Sequence, residues 1–332
     1  MGKRQPAHDF ELGATFRCDV KSPGELVSLA RAAEGAGFAY CWLFDSHVSA
    51  MDPYPLLGMI ADQTSRVRLG TLVTNPVSRH PTVTASALAT LNRISGERME
   101  LGIGRGDGAV RQFGSRPATV PELEHAIGII RTLAEGKEVT LGDTKVRLPW
   151  VGPSDLRVWV AGYGPRVIDL AARIADGVIF QLADPLILQS LIVQLKVRVS
   201  AAGRAPGSVH VMAAAPAFVG SVAEGVERSA WFPKFIRHHI IEVLEQSSSD
   251  IPAGYSQYID EPEGSALRDM VLRTCLVGDV DSHVAKLADL RAIGVDQVNL
   301  YLMDGREAEM IEAYRQSVIP AVFHNASSEV SR

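Results

Sequence analysis

The sequence predicts an α/β fold of the (β/α)8 TIM-barrel type, with an insertion between the seventh and eighth strands. Three observations carry the prediction. Short apolar runs alternate with amphipathic stretches along most of the 332 residues, the pattern of parallel strands joined by crossover helices. Eight such runs are recognisable, which suits a closed barrel better than a doubly wound open sheet. No G-x-G-x-x-G opens the first helix, which weighs against a dinucleotide-type Rossmann site.

Each element has its own warrant. Glu11–Phe16 reads as the first strand. Ser22–Glu34 follows as an amphipathic helix, entered by Ser22-Pro23 and closed by Gly35. Phe38–Phe44 is apolar at nearly every position, as a strand covered on both faces must be. A helix at Pro53–Thr64, a strand at Val67–Thr74, a helix at Thr82–Ile94, a strand at Met99–Gly104 and a helix at Pro121–Glu135 continue the alternation. Gly136–Trp150 reads as a hairpin or a long loop. Then come strand Val158–Ala161, helix Val167–Ala175, strand Val178–Leu182, helix Pro185–Ala202, strand Val209–Val219 and strand Gln297–Met303. Helices near Ser221–Ser229 and Ser282–Ile293 flank the stretch between the last two strands. Within that stretch, Trp231–Arg268 breaks the rhythm: it is rich in aromatics, His and Pro and holds Ser247-Ser-Ser-Asp250. Two readings stand for it, a lid or binding loop over the barrel mouth and an insertion packed at an oligomer interface.

The whole chain, 1–332, is expected to be a single barrel domain. It is 46% hydrophobic and 21% charged, enough apolar content for a large core, and carries a net charge of −5 with a pI near 6.0. That balance argues against nucleic-acid binding and weakly against anionic membranes. Cys18, Cys41 and Cys275 have no metal-ligand spacing and cannot all pair, and Cys18 and Cys41, in or beside early strands, are expected to be reduced and buried. The first ten residues lack the apolar core of a signal peptide, and no apolar run reaches membrane-spanning length. The expectation is a soluble cytoplasmic protein.

The stretch most telling of function is Val158-Trp-Val-Ala-Gly-Tyr-Gly-Pro-Arg166, a buried strand, a glycine turn and a helix opening at Pro165. Gly162 and Gly164 let the backbone approach a ligand, and Pro165 suits a first helical turn. The free N–H groups and partial positive charge of that helix start attract an anion, most often a phosphate. A nucleotide-like cofactor follows.

In a barrel, residues just after each strand share one mouth. These ends bring together Phe16-Arg17, Asp45-Ser46-His47, Leu72-Val-Thr-Asn75, Gly102-Ile-Gly-Arg-Gly-Asp107, Ala161-Gly-Tyr-Gly164, Gln181, Tyr301 and Asp304. Asp45, His47 and Asp107 are proton-handling groups, and there is no catalytic-zinc triad among them, so no metal is expected. Bland readings stand beside these. Asp45 could cap the following helix, His47 could be a structural histidine, and Asp107 could end a turn. The alternating Gly102, Gly104 and Gly106 favour a ligand over simple turn geometry. Nothing local decides whether Arg79-His80 is only a solvated pair. His238-His239, adjacent on a helix, would point to different sides, so at most one faces the site.

With these residues in view, the chain resembles the bacterial luciferase-like superfamily of flavin- and deazaflavin-dependent oxidoreductases, over roughly Leu12 to Ala321. The markers are Ala33-Glu-Gly-Ala-Gly-Phe38, Trp42-Leu-Phe-Asp45, Leu69-Gly-Thr-Leu-Val-Thr-Asn-Pro76, His80-Pro-Thr-Val83, Ser95-Gly-Glu-Arg98, Leu101-Gly-Ile-Gly-Arg-Gly106 and Ala175-Asp-Gly177. Phe44-Asp-Ser-His47, Gly104-Arg-Gly-Asp107 and Trp159-Val-Ala-Gly-Tyr-Gly164 look like the subgroup dependent on coenzyme F-420 (F420, an 8-hydroxy-5-deazaflavin). The resemblance implies hydride transfer at deazaflavin C5 to or from a small organic substrate. The alternative it leaves open is an FMN-dependent, two-component monooxygenase fed by a flavin reductase. It implies a cofactor site made by Phe16, Asp45, Leu72, Val73, Thr74, Gly104, Gly106, Asp107, Ala161, Gly162, Tyr163 and Gly164, with a cis peptide at Leu72-Val73. Asp107, His47 and Asp45 are its candidate catalytic residues. Relatives with sugar-phosphate substrates carry a histidine directly after the aspartate that matches Asp45; here that place is Ser46. The superfamily also implies a homodimer.

Overall fold

The computed structural model describes residues 10–19, 22–246, 255 and 263–324. The chain runs through β1 (Glu11–Phe16), α1 (Pro23–Ala36), β2 (Tyr40–Leu43), α2 (Pro53–Gln63), β3 (Arg68–Thr71), α3 (Pro81–Ser95) and β4 (Met99–Ile103). It continues with α4 (Asp107–Arg111), α5 (Val120–Ala134), the hairpin of β5 (Val139–Leu141) and β6 (Thr144–Val146), β7 (Arg157–Ala161), α6 (Pro165–Ile174) and β8 (Gly177–Phe180). Next are α7 (Pro185–Ala201), β9 (His210–Val219), α8 (Val222–Ser229), α9 (Trp231–Gln246), α10 (Gly264–Thr274) and β10 (Leu276–Gly278). The last elements are α11 (Val280–Ala292), β11 (Gln297–Tyr301), α12 (Glu307–Ala313), a π-helical turn at Tyr314–Val318 and α13 (Ile319–His324).

Strands β1, β2, β3, β4, β7, β8, β9 and β11 pair in parallel in that order, and β11 closes back onto β1. The eight-stranded barrel is thus present, each strand within a few residues of its sequence-predicted bounds. β3 stops at Thr71, immediately before a cis Leu72–Val73 peptide bond. β10 lies outside the ring: it pairs only with the far end of the ten-residue β9, Leu276 against Ala217 and Gly278 against Val219. No helix among the described residues is long and apolar enough to cross a membrane. All three cysteines are buried and unpaired.

Side chains from the strand starts fill the barrel floor. Tyr40 and Trp42 stack at 5.7 Å, and Trp159 meets Trp42 edge-on at 6.2 Å. Their bulk explains two strand glycines. A Cβ on Gly177 would lie 2.1 Å from Trp159, and one on Gly70 would lie 2.4 Å from Trp42. Glu100 is buried beneath, and Trp159 Nε1, Arg68 and Arg157 surround its carboxylate. Tyr40 Oη donates to Glu11 at 3.1 Å.

The recurrent sequence markers have structural work to do. The Arg98 guanidinium is buried and donates to the carbonyls of Ala61, Thr64, Val67 and Ser95 at 2.6–2.8 Å and to Thr64 Oγ1 at 3.0 Å. It thereby caps the C-terminus of α2, whose carbonyls would otherwise lack partners. Glu34 accepts from the backbone N–H of Ser65, Arg66 and Val67. Asp176 accepts from Val158 N and Arg131. Ser22 opens α1 as expected, in a reciprocal capping box with Glu25, but the left-handed residue that ends the helix is Gly37, not Gly35. The hairpin reading of Gly136–Trp150 holds at β5–β6.

Where it is described, the stretch read as a lid loop or an interface insertion is helical at both ends, in α9 and at the start of α10. α9 covers 231–246, and its Phe232, Ile236, Ile240 and Val243 are buried. Ser247 to Asp250 fall outside the described residues. Tyr255 Oη reaches both carboxylate oxygens of Asp184 at 2.9 Å.

Candidate functional site

The C-terminal mouth of the barrel holds a cavity of about 860 Å³, ample for a flavin-sized ligand beside a small substrate. One wall is backbone. Leu72 and Val73 lie at its back, and Gly104, Gly106, Ala161, Gly162 and Gly164 face it. A side chain at Gly104 would press on Val73 Cγ2 at 3.2 Å, and one at Gly162 would meet Val167 Cγ1 at 2.7 Å. Gly106 adopts φ +85°, and a Cβ there would strike Asn75. Gly102 is different: its missing Cβ makes room for the Thr71 carbonyl, 2.0 Å away, and it does not line the cavity. Its glycine serves the barrel wall rather than a ligand.

At the end of β7, Gly164 is the N-cap of α6 in an extended conformation, with no side-chain cap and Pro165 next. Pro165 has no N–H, and Val167 N and Ile168 N both donate to the Gly164 carbonyl at 3.0 Å. The donor this helix start leaves for an anion is therefore the Arg166 N–H, beside the positive end of the helix. Tyr163 is buried beside them; its Oη accepts from Gln181 N at 2.8 Å and its ring stacks on His239 at 4.6 Å. The bare glycine wall and the uncapped helix start fit a planar ring carrying a phosphate tail.

The proton-handling residues separate. Asp45 lines the cavity and is buried. It does not cap α2, whose N-cap is Asp52. Its Oδ2 instead accepts from Thr74 Oγ1 at 2.6 Å. Burial pushes the Asp45 carboxyl up, and the Thr74 hydroxyl only partly opposes it. Asp107, first residue of α4, also lines the cavity. Burial raises its pKa, but the Arg111 hydrogen bond and charge, with His238 and His239, outweigh that and hold the carboxyl below its usual value.

Three expected site residues stand elsewhere. His47 is exposed, packs on Phe113 at 5.0 Å and does not line the cavity. The chain stays at the mouth, where Ser46, Ser49 and Ala50 line the cavity, but His47 opens the intervening turn and its side chain points away. Phe16 is buried in the barrel and Thr74 lies behind Asp45, so neither forms the wall. Arg79 pairs with Asp52 at 2.5 Å, and His80 Nδ1 caps α3, so this pair is structural.

α9 supplies what the sequence reading missed. Trp231, Phe235, His238 and Glu242, spaced i, i+4, i+7 and i+11, face the cavity, and His239 joins them. His238 and His239 do not diverge: their ring centroids lie 3.8 Å apart. His238 Nε2 is 3.3 Å from Asp107 Oδ2, while Arg111 Nε holds Oδ1 at 2.6 Å. One ligand atom each from Asp107, His238 and His239 lies within 4.8 Å of the others, a set that could hold a cation. The sequence reading expected no such cluster. Burial and the neighbouring His238 drive His239 down to a pKa of about 4, so its imidazole is neutral near pH 7. The helical spacing of Trp231, Phe235, His238 and Glu242 was the signal available in sequence.

Residues 6–297 match the family model described as luciferase-like monooxygenase. The chain belongs to this family. It is an oxidoreductase. It is 29% identical to a 5,10-methylenetetrahydromethanopterin reductase of Methanopyrus kandleri, over 90% of this chain and 95% of that one. It is 32% identical to an F420-dependent hydroxymycolic acid dehydrogenase of Mycobacterium tuberculosis, over 62% of this chain and 60% of that one. Among solved structures, the coenzyme F420-dependent tetrahydromethanopterin reductase of Methanopyrus kandleri superposes with a TM-score of 0.77. That match has 23% identity and covers 94% of this luciferase-like chain and 99% of the other.

Proposed function

We propose that the protein is an F420-dependent oxidoreductase that moves a hydride between deazaflavin C5 and a small organic substrate. The observation that carries this reading is that one cavity joins a bare glycine wall, the uncapped start of α6 and the Asp107–His238 pair. Relatives named as F420-dependent dehydrogenases support it. When bound, the deazaflavin supplies the carbon that accepts or gives the hydride.

The chain's own residues then have separable tasks. Gly162, Tyr163, Gly164 and the first turn of α6 would hold the phosphate. Leu72, Val73 and Gly104 would back the ring, and Asp45 would face its polar edge. Trp231 and Phe235 would exclude water from the substrate side. The proton that accompanies hydride transfer would be handled by Asp107 Oδ2 and His238 Nε2, with Asp107 ionised and able to accept.

The test is a titration of the purified protein with F420 and with FMN, each oxidised and reduced, followed by absorbance and fluorescence. Binding of F420 in preference to FMN supports the reading. A preference for reduced FMN, with an oxygen adduct on aeration, overturns it in favour of a monooxygenase served by a flavin reductase.

A further inference from the structure

Glu242 stands against the phosphate turn. A Cβ built on Gly164 would lie 3.0 Å from Glu242 Oε1, so the carboxylate reaches the bare backbone at the N-cap of α6. Both residues line the same cavity. Among the described residues no lysine, arginine or histidine forms a salt bridge with Glu242. The electrostatics of the turn are therefore mixed. The start of α6 contributes about half a positive charge, and Glu242 sets a full negative charge beside it. An anion binding there gains from the first and is opposed by the second, and the opposition grows with the anion's own charge.

That difference separates two kinds of phosphate. A phosphodiester, which joins the deazaflavin ring system of F420 to its tail, carries one negative charge. A phosphate monoester such as the end of FMN approaches two near neutral pH. From the position of Glu242 beside Gly164, we infer that Glu242 selects the phosphodiester cofactor by repelling a dianionic phosphate from the α6 turn. Glu242 is a specificity-determining residue, and its position on the exposed face of α9 leaves the packed face of that helix, Phe232, Ile236, Ile240 and Val243, untouched.

The inference rests on the proposed cofactor reading, and the test separates the two. Dissociation constants for F420, FMN and riboflavin are measured at low ionic strength for the wild-type chain and for Glu242→Gln. The expected result is FMN tightened by about tenfold, F420 by about threefold or less, and riboflavin, which has no phosphate, unchanged. An unchanged FMN-to-F420 ratio overturns the inference. So does a riboflavin shift as large as that of FMN, because the effect would then be one of shape rather than charge. If the wild-type chain prefers FMN to F420, the cofactor reading fails. The comparison of FMN with riboflavin still decides the role of Glu242: a selective gain for FMN supports it, and equal behaviour overturns it. Failure of all three ligands to bind either form overturns both.

Discussion

His238 Nε2 on α9 lies 3.3 Å from Asp107 Oδ2 at the start of α4, so two elements far apart in sequence meet over the barrel mouth. The other Asp107 oxygen is committed to Arg111. One carboxylate oxygen is thus fixed in place, and the other is shared with an imidazole that faces the cavity. Asp107→Asn keeps the shape and the Arg111 contact but cannot accept a proton. Turnover should fall about 100-fold while the cofactor dissociation constant changes less than threefold. Equal turnover would make Asp107 a structural residue. The pH profile adds a second reading. Arg111 and the two histidines hold this carboxyl below its ordinary value, so it stays ionised until the pH falls below the usual aspartate range. An acid limb from Asp107 should therefore lie below that range and vanish in the Asn variant.

Gly164→Asp should be folded and blind to phosphate. Gly164 already has the extended conformation of an N-cap, and its built Cβ meets only the flexible end of Glu242. An aspartate there would cap α6 itself and occupy the free N–H a phosphate needs, its capping gain of about 1 kcal/mol offset by the neighbouring Glu242 carboxylate. Cofactor affinity should drop at least 100-fold with no loss of Tm. Unchanged affinity would remove the phosphate assignment. Gly162→Asp should also lose affinity, but its Cβ would sit 2.7 Å from Val167 Cγ1, so a fall in Tm should accompany it.

Arg98→Met should be strongly destabilising. The buried guanidinium serves four carbonyls and a hydroxyl, and an apolar replacement leaves them without partners. A cost of about 3 kcal/mol is expected from urea unfolding. Arg98→Lys should recover only part of it, since an ammonium has fewer donors than the planar fork. A loss below about 1 kcal/mol would show that water replaces these bonds.

Glu34 links acid stability to the α1–β3 junction. Burial raises its pKa, but the N–H groups of Val67, Arg66 and Ser65 outweigh that and lower it. A carboxyl lowered on folding stabilises the native state fully above its unfolded value, near 4.3. That contribution is lost as pH falls through the folded value. The Tm gap between wild type and Glu34→Gln should therefore be widest near pH 7 and close progressively below about pH 4. A gap independent of pH would point to shape rather than charge.

The barrel was readable because most of its strands are short, largely apolar runs bounded by glycine, proline or a helix cap. The phosphate turn was readable for the same local reason: Gly162, Gly164 and Pro165 state their backbone geometry in the sequence. Elements whose meaning depends on distant partners were not. α9 hid because its apolar residues occupy two faces, Phe232, Ile236, Ile240 and Val243 inward and Trp231 and Phe235 toward the cavity, so no single stripe stands out. His238 and His239 leave the helix in different directions at Cα, but their side chains lean together. Asp45 and His47 looked equivalent as strand-end polar residues; a partner on another strand, Thr74, and the outward side chain of His47 told them apart.

The long β9 and the short β10 have a consequence for how such a mouth can diversify. The segment from Gly220 to Cys275 departs from the end of β9 and returns through β10, which is zipped to that same end, with Gly220 N donating to the Gly278 carbonyl at 2.8 Å. Entry and exit are clasped together on one extended strand, like the two ends of a loop closed by a buckle. Length and sequence can drift inside the clasp, remodelling the cavity wall that α9 forms, while the register of the closed ring beneath stays unaltered.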